Sequence, residues 1–485
     1  MNPHRPAITR RKFLGQASCA AVGSIALVNT LLNLRLMSSA AAQTPGDSYK
    51  ALVCLFLAGG NDSFNMLVPR DAAHYAEYQT VRGGLYNATT TAGGLALPNA
   101  GEVGGILPLN PLGDLGGRQF GLHPAMSRLQ SLFEAGNACF VSNVGSLIQP
   151  GMTRALHDAG INVPFGLYSH ADQIEQWQTS FPQGRTNIGW GGRAADLLHA
   201  MNADNGLSMN IAIGGTNTWQ TGNAVFQYGM SPGGVDDLEG YDYDWDHAEW
   251  GMSPLRGAAV DSQLAMDYKN LFEKTFAQKS RGAIEAYKIF QSATALPLPG
   301  NVVFPKTSVG ASFQMAAKTI AGRALLGAQR QTFFIQLGGW DHHDEVINNQ
   351  QVMLGQISDA VGAFYDALTA LGLQDRVATF TASDFGRTLT SNGRGSDHAW
   401  GGNHFVVGGG VRGQRIYGQY PALAADNPLD TGRGRLIPTT AVDQYFAELA
   451  LWFGVPKSSL PLVIPNVARF YDPASSAPPL GFLNG

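Results

Sequence analysis

Residues 331–346 read QTFFIQLGGWDHHDEV, and this stretch decides the fold class. Its first half is an apolar, aromatic run of strand length, the pattern of a strand covered on both faces. Gly338 and Gly339 then let the backbone turn, and Asp341, His342, His343, Asp344 and Glu345 follow directly. Only 14% of the chain is charged. Three acids and two histidines at the mouth of one strand therefore need partners, and the rest of the sequence has to supply them.

Similar runs end at Gly or Asp elsewhere: ALVCLFLAGGND (51–62), ACFVSNVG (138–145), LSMNIAIGG (207–215), RVATFTASDFG (376–386) and HFVVGGG (404–410). Between and after them lie helical patterns, ASFQMAAKTIAGRALLGAQ (311–329), QQVMLGQISDAVGAFYDALTALGL (350–373) and TTAVDQYFAELALWFG (439–454). Alternating strands and helices predict an α/β fold with a mostly parallel central sheet and helices on both faces. Ligands of such sheets bind beyond the carboxyl ends of the strands. Asp62, Asp341 and Asp384 each follow a strand run, so all three are expected to face one crevice.

The pattern loosens from about 146 to 300, which predicts an inserted cap or lid region. Within it, residues 229–256 alternate acids with aromatics. Asp242, Asp244 and Asp246 are spaced like the start of a calcium loop, but His247 and Ser253 stand where that loop needs Gly and Glu. A surface loop is expected there, with a lid over the crevice as the alternative. Residues 262–294 carry the pattern of one long amphipathic helix.

The first residues are of another kind. TRRKFLGQASCAAVGSIALVNTLLNLRLMSSAAAQ (9–43) joins Arg10-Arg11 to a moderately apolar stretch and a small-residue cleavage site, the form of a twin-arginine signal covering residues 1–42. Asn29, Asn33 and Arg35 interrupt the apolar run, which falls short of the ~20 residues of a membrane span. The expectation is a periplasmic or secreted protein handled by the twin-arginine machinery, with no permanent anchor and residues 43–485 as its mature domain. Cleavage would remove five of the 32 basic residues and none of the 36 acidic ones, leaving 27 against 36 and a net charge of −9. Such a balance argues against nucleic acid as a partner. Cys54 and Cys139 sit in apolar runs and read as buried free thiols.

Four segments concentrate the chemistry. In LAGGNDSFN, Asn61 and Asp62 follow a two-glycine turn, as turn residues often do. Asp341 and His343 are two apart, so in an extended segment both project to one side and can grip one cation. TASDFGRTLTSNGRGSDHAWGGNHF (381–405) adds Asp384, Arg387, Asp397, His398 and His404. Acids and histidines gathered at several strand ends repel one another and lose solvation, which a bound cation offsets. In LYSHADQIEQW (167–177), Ser169 stands where a helix N-cap would be. Capping explains a serine there, and the same place would set a hydroxyl at the positive end of a helix dipole.

CLFLAGGNDSFNMLVP, FIQLGGWDHHDE and FTASDFGRTLTSNGRGSDHAWGGNHFVVGGGVRGQRIYGQYP closely resemble the exported proteins of the family called domain of unknown function 1501, which looks like a branch of the alkaline phosphatase and sulfatase superfamily. The resemblance implies an alkaline phosphatase-like core with one or two divalent metals, zinc or calcium, magnesium or manganese, beyond the strand ends. By it, Asp62 looks like the ligand after the first strand and Ser169 like a nucleophile. Asp341, His343 and His398 resemble the ligands of one metal, and Asp384 the acid of a second. Phe385 stands where phosphatases place a histidine, so either His404 or Asp397 substitutes in that second site, or the site is oxygen-rich and takes calcium, magnesium or manganese in place of zinc. Arg387 and Asn61 are the candidates to hold substrate oxygens. Neither Cys54 nor Cys139 lies in Cys-x-Pro-x-Arg, which excludes a formylglycine sulfatase. The expected function is hydrolysis of a phosphate or sulfate ester of a small molecule or glycan. The alternative is a non-catalytic exported protein whose metal is structural or glycan-binding.

Overall fold

The computed structural model describes residues 49–203, 206–235, 241, 252–424 and 427–484. Residues 1–42, read above as an expected export signal, and the acids Asp242, Asp244 and Asp246 lie outside these residues. The strands in chain order are β1 (Lys50–Leu57), β2 (Leu67–Pro69), β3 (Leu107–Pro108), β4 (Phe120–Leu122), β5 (Ala138–Gly145), β6 (Asn210–Ile213), β7 (Tyr228–Met230), β8 (Arg330–Leu337), β9 (Val377–Ser383), β10 (Gly402–Gly408), β11 (Ile416–Tyr417) and β12 (Thr440–Ala441). All but β2, β3 and β4 form one sheet in the order β11-β5-β10-β9-β1-β8-β6-β7, with β12 beside β5. Its pairings are parallel except those of β10, which runs antiparallel to both β9 and β5.

Every residue of β1 after Lys50 is buried, and so is all of β9. Alternate side chains therefore feed two separate layers. Val53, Leu55, Phe333 and Ile335 join the core built with the helices Ser127–Glu134, Ser308–Ala321 and Val346–Ala370. On the opposite face Phe334 and Phe380 meet an aromatic layer of Trp190, Trp219, Tyr445 and Phe446. The helices Trp190–Leu198 and Val442–Phe453 supply three of those four rings. Cys54 and Cys139 are buried and unpaired.

Much of the stretch 146–300 is built into this architecture, since it contributes β6 and β7 to the sheet and the helices His170–Thr179 and Trp190–Leu198 to one face. The expected helix over 262–294 is two, Met252–Leu264 and Leu271–Thr294. Asn270 is the reason: its side chain accepts the Phe272 N–H and starts a new helix.

The direction of β10 positions the site. The carboxyl ends of β9, β1 and β8 lie side by side and release Asp384, Gly59 and Asp341. Because β10 runs the other way, its start lies at that same edge, and His398, four residues before it, arrives there too. Gly59 is required for the approach. Its φ is 122°, and a Cβ would stand 2.4 Å from the Asp341 nitrogen.

Candidate metal centre

His170, Asp341 and His398 each offer a ligand atom within 4.8 Å of the others. His170 Nε2 lies 3.1 Å from His398 Nε2 and 3.4 Å from Asp341 Oδ2. His398 Nε2 lies 3.1 Å from Asp341 Oδ1. His343 Nε2 closes in from the exposed side, 3.0 Å from His398 Nε2 and 3.1 Å from Asp341 Oδ1. Asp341 and His343 keep 43% and 47% of their side-chain surface, so the cluster is open to solvent on their side.

What lies behind each imidazole decides which atoms face inward. His170 Nδ1 is 2.6 Å from Asp384 Oδ2, His343 Nδ1 is 2.9 Å from Asp397 Oδ1, and His398 Nδ1 is 3.0 Å from the Tyr168 carbonyl. A carbonyl only accepts, so His398 carries its proton on Nδ1 and turns an Nε2 lone pair to the centre. The carboxylates behind His170 and His343 impose the same tautomer. Burial, with the charges of Arg387 and His170, holds the His398 pKa below the usual histidine value, although the Tyr168 carbonyl opposes the shift. Burial alone would raise the Asp341 carboxyl, but Arg387, His343 and His398 outweigh it and hold the group below the usual range. Three lone pairs and a carboxylate therefore converge. Imidazoles backed by carboxylate or carbonyl are the usual outer arrangement of metal-bound histidine. Metal–nitrogen bonds of ~2.1 Å would set tetrahedral ligands ~3.4 Å apart, close to the separations among His170, Asp341 and His398, with His343 near the last two.

The backbone at Tyr168 is strained to make this fit. A tyrosine at φ 73° is costly, and several contacts hold it. Its hydroxyl meets Thr431 Oγ1 at 3.1 Å and His157 Nε2 at 3.2 Å, its N–H donates to Gln173, and Arg435 lies over the ring. The carbonyl is thereby aimed at His398.

The remaining sequence candidates fall elsewhere. Asp62 is fully buried and turns Oδ2 to Arg82 at 2.6 Å and to the Ser396 hydroxyl at 2.9 Å, so it closes an ion pair and no atom of it is placed with the cluster. Asp384 Oδ1 accepts the Gly59 N–H at 3.0 Å while Oδ2 holds His170, so it orients a ligand from behind. Asp397 does the same for His343, steadied by Asn392 and Arg433. His404 is a core histidine inside β10, beside Thr381 and the Trp177 ring, and burial pushes its pKa down to about 3. The donors proposed for a second metal are thus dispersed. Arg387 is buried and directs Nη1 to Asp341 at 2.6 Å and Nη2 to the Ser396 carbonyl; it positions Asp341. Asn61 faces Met66 and Gln350. Ser169 is the N-cap of His170–Thr179 but makes no side-chain capping bond; with Arg185 it helps hold the Asp172 carboxyl below the usual range, against burial. Phe385 packs its ring on His170 and His398, at 4.8 and 4.7 Å between centroids, and walls the cluster off from the core.

His170 is the residue the sequence analysis passed over. It occupies the first helical position, where a charged histidine would face the positive end of the helix. That placement was the available signal, because only a neutral imidazole with a use for its lone pair, or one paired to an acid, sits comfortably there.

Fold and site together define a mixed α/β protein with a largely parallel sheet and a His/Asp cluster at its strand ends. Residues 230–433 match the model of the family described as Protein of unknown function (DUF1501), which supports the resemblance read from the motifs. The match contains Asp341, His343, Asp384 and His398 and leaves His170 outside. Among curated proteins no relative is found. Two solved structures of Ps i-CgsB, one in complex with k-i-k-neocarrahexaose, are 12% identical and the matches cover 87% of this chain and 78% of that one, with TM-scores of 0.33 and 0.30. Among the described residues no helix is long and apolar enough to cross a membrane.

Proposed function

We propose that this chain is an exported hydrolase of phosphate or sulfate esters that works with one transition-metal ion held by His170, Asp341, His343 and His398. The observation that carries the reading is the inward convergence of three imidazole Nε2 atoms on one carboxylate, each with its Nδ1 bonded outward. A donor set this rich in nitrogen suits zinc or a neighbouring transition metal better than calcium or magnesium, which prefer oxygen. A bound ion of this kind supplies Lewis acidity toward an ester oxygen and lowers the pKa of water.

The chain's own residues do the rest. Arg387 and the Gly59 turn hold Asp341 in place, and Asp384 and Asp397 fix the tautomers of His170 and His343. The half-exposed faces of Asp341 and His343 leave an ester room to approach. The helix beginning at His170 directs its first N–H groups toward that anion. Ser169 is left out of the attack, and water is the nucleophile. A second reading, a metal site without catalysis, draws support from Arg387, whose guanidinium is engaged on Asp341 and carbonyls and so faces no substrate.

The test is metal content and turnover measured together. Purified wild type and His398→Ala are analysed for bound metal, then assayed with zinc, manganese or calcium on aryl phosphates, phosphodiesters and aryl sulfates. The expected result is about one transition-metal ion per chain in wild type, little in the variant, and ester turnover that follows the metal. If wild type binds metal but is as inert as the variant on every ester, the hydrolase reading fails and the second reading stands.

A further inference from the structure

A cavity of about 250 Å³ is lined by Tyr86, Leu95, Val346, Glu345, Asn348 and Arg394 among others. Its walls are tied to the metal ligands. Glu345–Asn348 begin two residues after His343, and Arg394 pairs with Asp344 at 3.0 Å and Glu345 at 3.5 Å. The Arg394 loop is pinned by Asn392, whose Nδ2 donates to the His343 carbonyl and to Asp397 Oδ1, both at 3.0 Å. Gly395 lies so close to the same segment that a Cβ would stand 2.4 Å from the His342 carbonyl oxygen.

The lining has two characters. Leu95 and Val346 are buried and make an apolar floor, and half-buried Tyr86 adds a ring. Glu345, Asn348 and Arg394 are exposed and bring planar polar groups to the rim, with Asn348 Nδ2 donating to Glu345 at 2.7 Å. The volume lies below the ~300–1,000 Å³ typical of drug-sized ligand sites, so it suits a single ring. Charge decides what kind of ring. Arg394 already faces two carboxylates, which leaves no net positive potential for an anion. Planar carboxylate, amide and guanidinium groups instead match the paired hydroxyls of a polyol, while Tyr86 and the floor cover its C–H face. A purely aromatic ligand would leave the polar groups unused. Glu345 also holds a left-handed backbone, φ 53°, a strain of the kind found at ligand sites.

We infer that this cavity is a subsite for one neutral pyranose ring, the sugar part of an ester whose charged group reaches the His/Asp cluster. The link to the ester rests on the function proposed above; the sugar site does not. Saturation-transfer NMR titrations with glucose, galactose, mannose and N-acetylglucosamine test it on wild type, Tyr86→Ala, Arg394→Ala and His398→Ala. At least one sugar is expected to saturate wild type, with Kd weakened about tenfold or more in Tyr86→Ala and Arg394→Ala and changed less than about twofold in His398→Ala. Arg394 is a surface residue, so its variant separates lost binding from lost folding. No saturable sugar, equal binding to all four proteins, or displacement of the sugar by benzyl alcohol overturns the inference. Sugar binding without any ester turnover would sink the hydrolase reading and leave the subsite standing; turnover without sugar binding would do the reverse.

Discussion

Two polar groups of this protein lie just past neighbouring strand ends and face opposite electrostatic problems. Asp62, after β1, is fully buried with Arg82, equally buried, 2.6 Å away. Its charge is answered within the fold. Asp341, after β8, shares its surroundings with three imidazole lone pairs and keeps an open face. Arg387 answers the carboxylate, and nothing among the described residues answers the nitrogens. The same residue type after the same kind of strand thus becomes a structural ion pair in one case and the one carboxylate of a His/Asp cluster in the other. The difference is whether the neighbours complement it or add to it.

The largest effect should come from breaking the self-contained side. Arg82→Met would leave Asp62 charged and buried with only Ser396 as a partner, and losing one member of a buried pair costs ~3–5 kcal/mol. Urea denaturation of the metal-free protein would show it. A loss below about 1 kcal/mol would mean that Asp62 is not held as described.

Asp443 sharpens the comparison as a buried acid with less help still. Ser180 donates to one oxygen at 3.2 Å and the other has no partner among the described residues. Burial pushes its pKa up to about 7, against the Ser180 hydrogen bond and the more distant Arg193 and Arg469. The unfolded chain ionises near ~4. Between these values the unfolded state releases a proton that the folded state retains, so this group's contribution to stability is intact below pH ~4 and declines as pH rises to about 7. At ~1.4 kcal/mol per unit the decline is ~2–4 kcal/mol. Asp443→Asn should flatten the stability profile from pH 5 to 8; an unchanged slope would place the carboxylate in contact with a cation.

On the other side of the comparison, Asp384→Asn tests the support behind His170. The variant keeps an oxygen for one of the two donors, Gly59 N–H or His170 Nδ1, and offers an N–H to the other. Outer partners of ligating histidines contribute ~10–100-fold in metal affinity. Competition with a chromogenic chelator should show zinc binding weakened by that factor, with the fold retained by circular dichroism.

How much of this was legible follows from the range of each interaction. β1, β5, β8 and β9 announce themselves as short apolar runs closed by Gly or Asp, because burial on both faces leaves no room for polar residues. Asp341, His343 and His398 are visible as a surplus of donors at those ends. Asp62 looked the same locally; what reassigns it is Arg82, the C-cap of Ala72–Val81, and no pattern in the sequence aims that side chain back at β1. His404 was distinguishable in principle, since it opens the apolar run Phe405–Val407 inside a strand buried along its whole length. The reversal of β10, which carries His398 to the strand ends, depends on pairing between distant segments and leaves no local mark.

The smallest expected effect separates neighbours. Ser169 and His170 are adjacent, and a serine at a helix start resembles a nucleophile while the histidine beside it resembles an ordinary surface residue. The geometry gives the histidine the larger part: Ser169 makes no side-chain capping bond, and His170 enters the cluster. Ser169→Ala should then change stability by less than ~1 kcal/mol, the low end for a cap residue, and alter ester turnover and metal content by no more than about threefold, as suits a side chain outside the transition state. His170→Ala should abolish metal binding. A loss of turnover beyond about a thousandfold in Ser169→Ala, with metal content intact, would return the hydroxyl to the role of nucleophile.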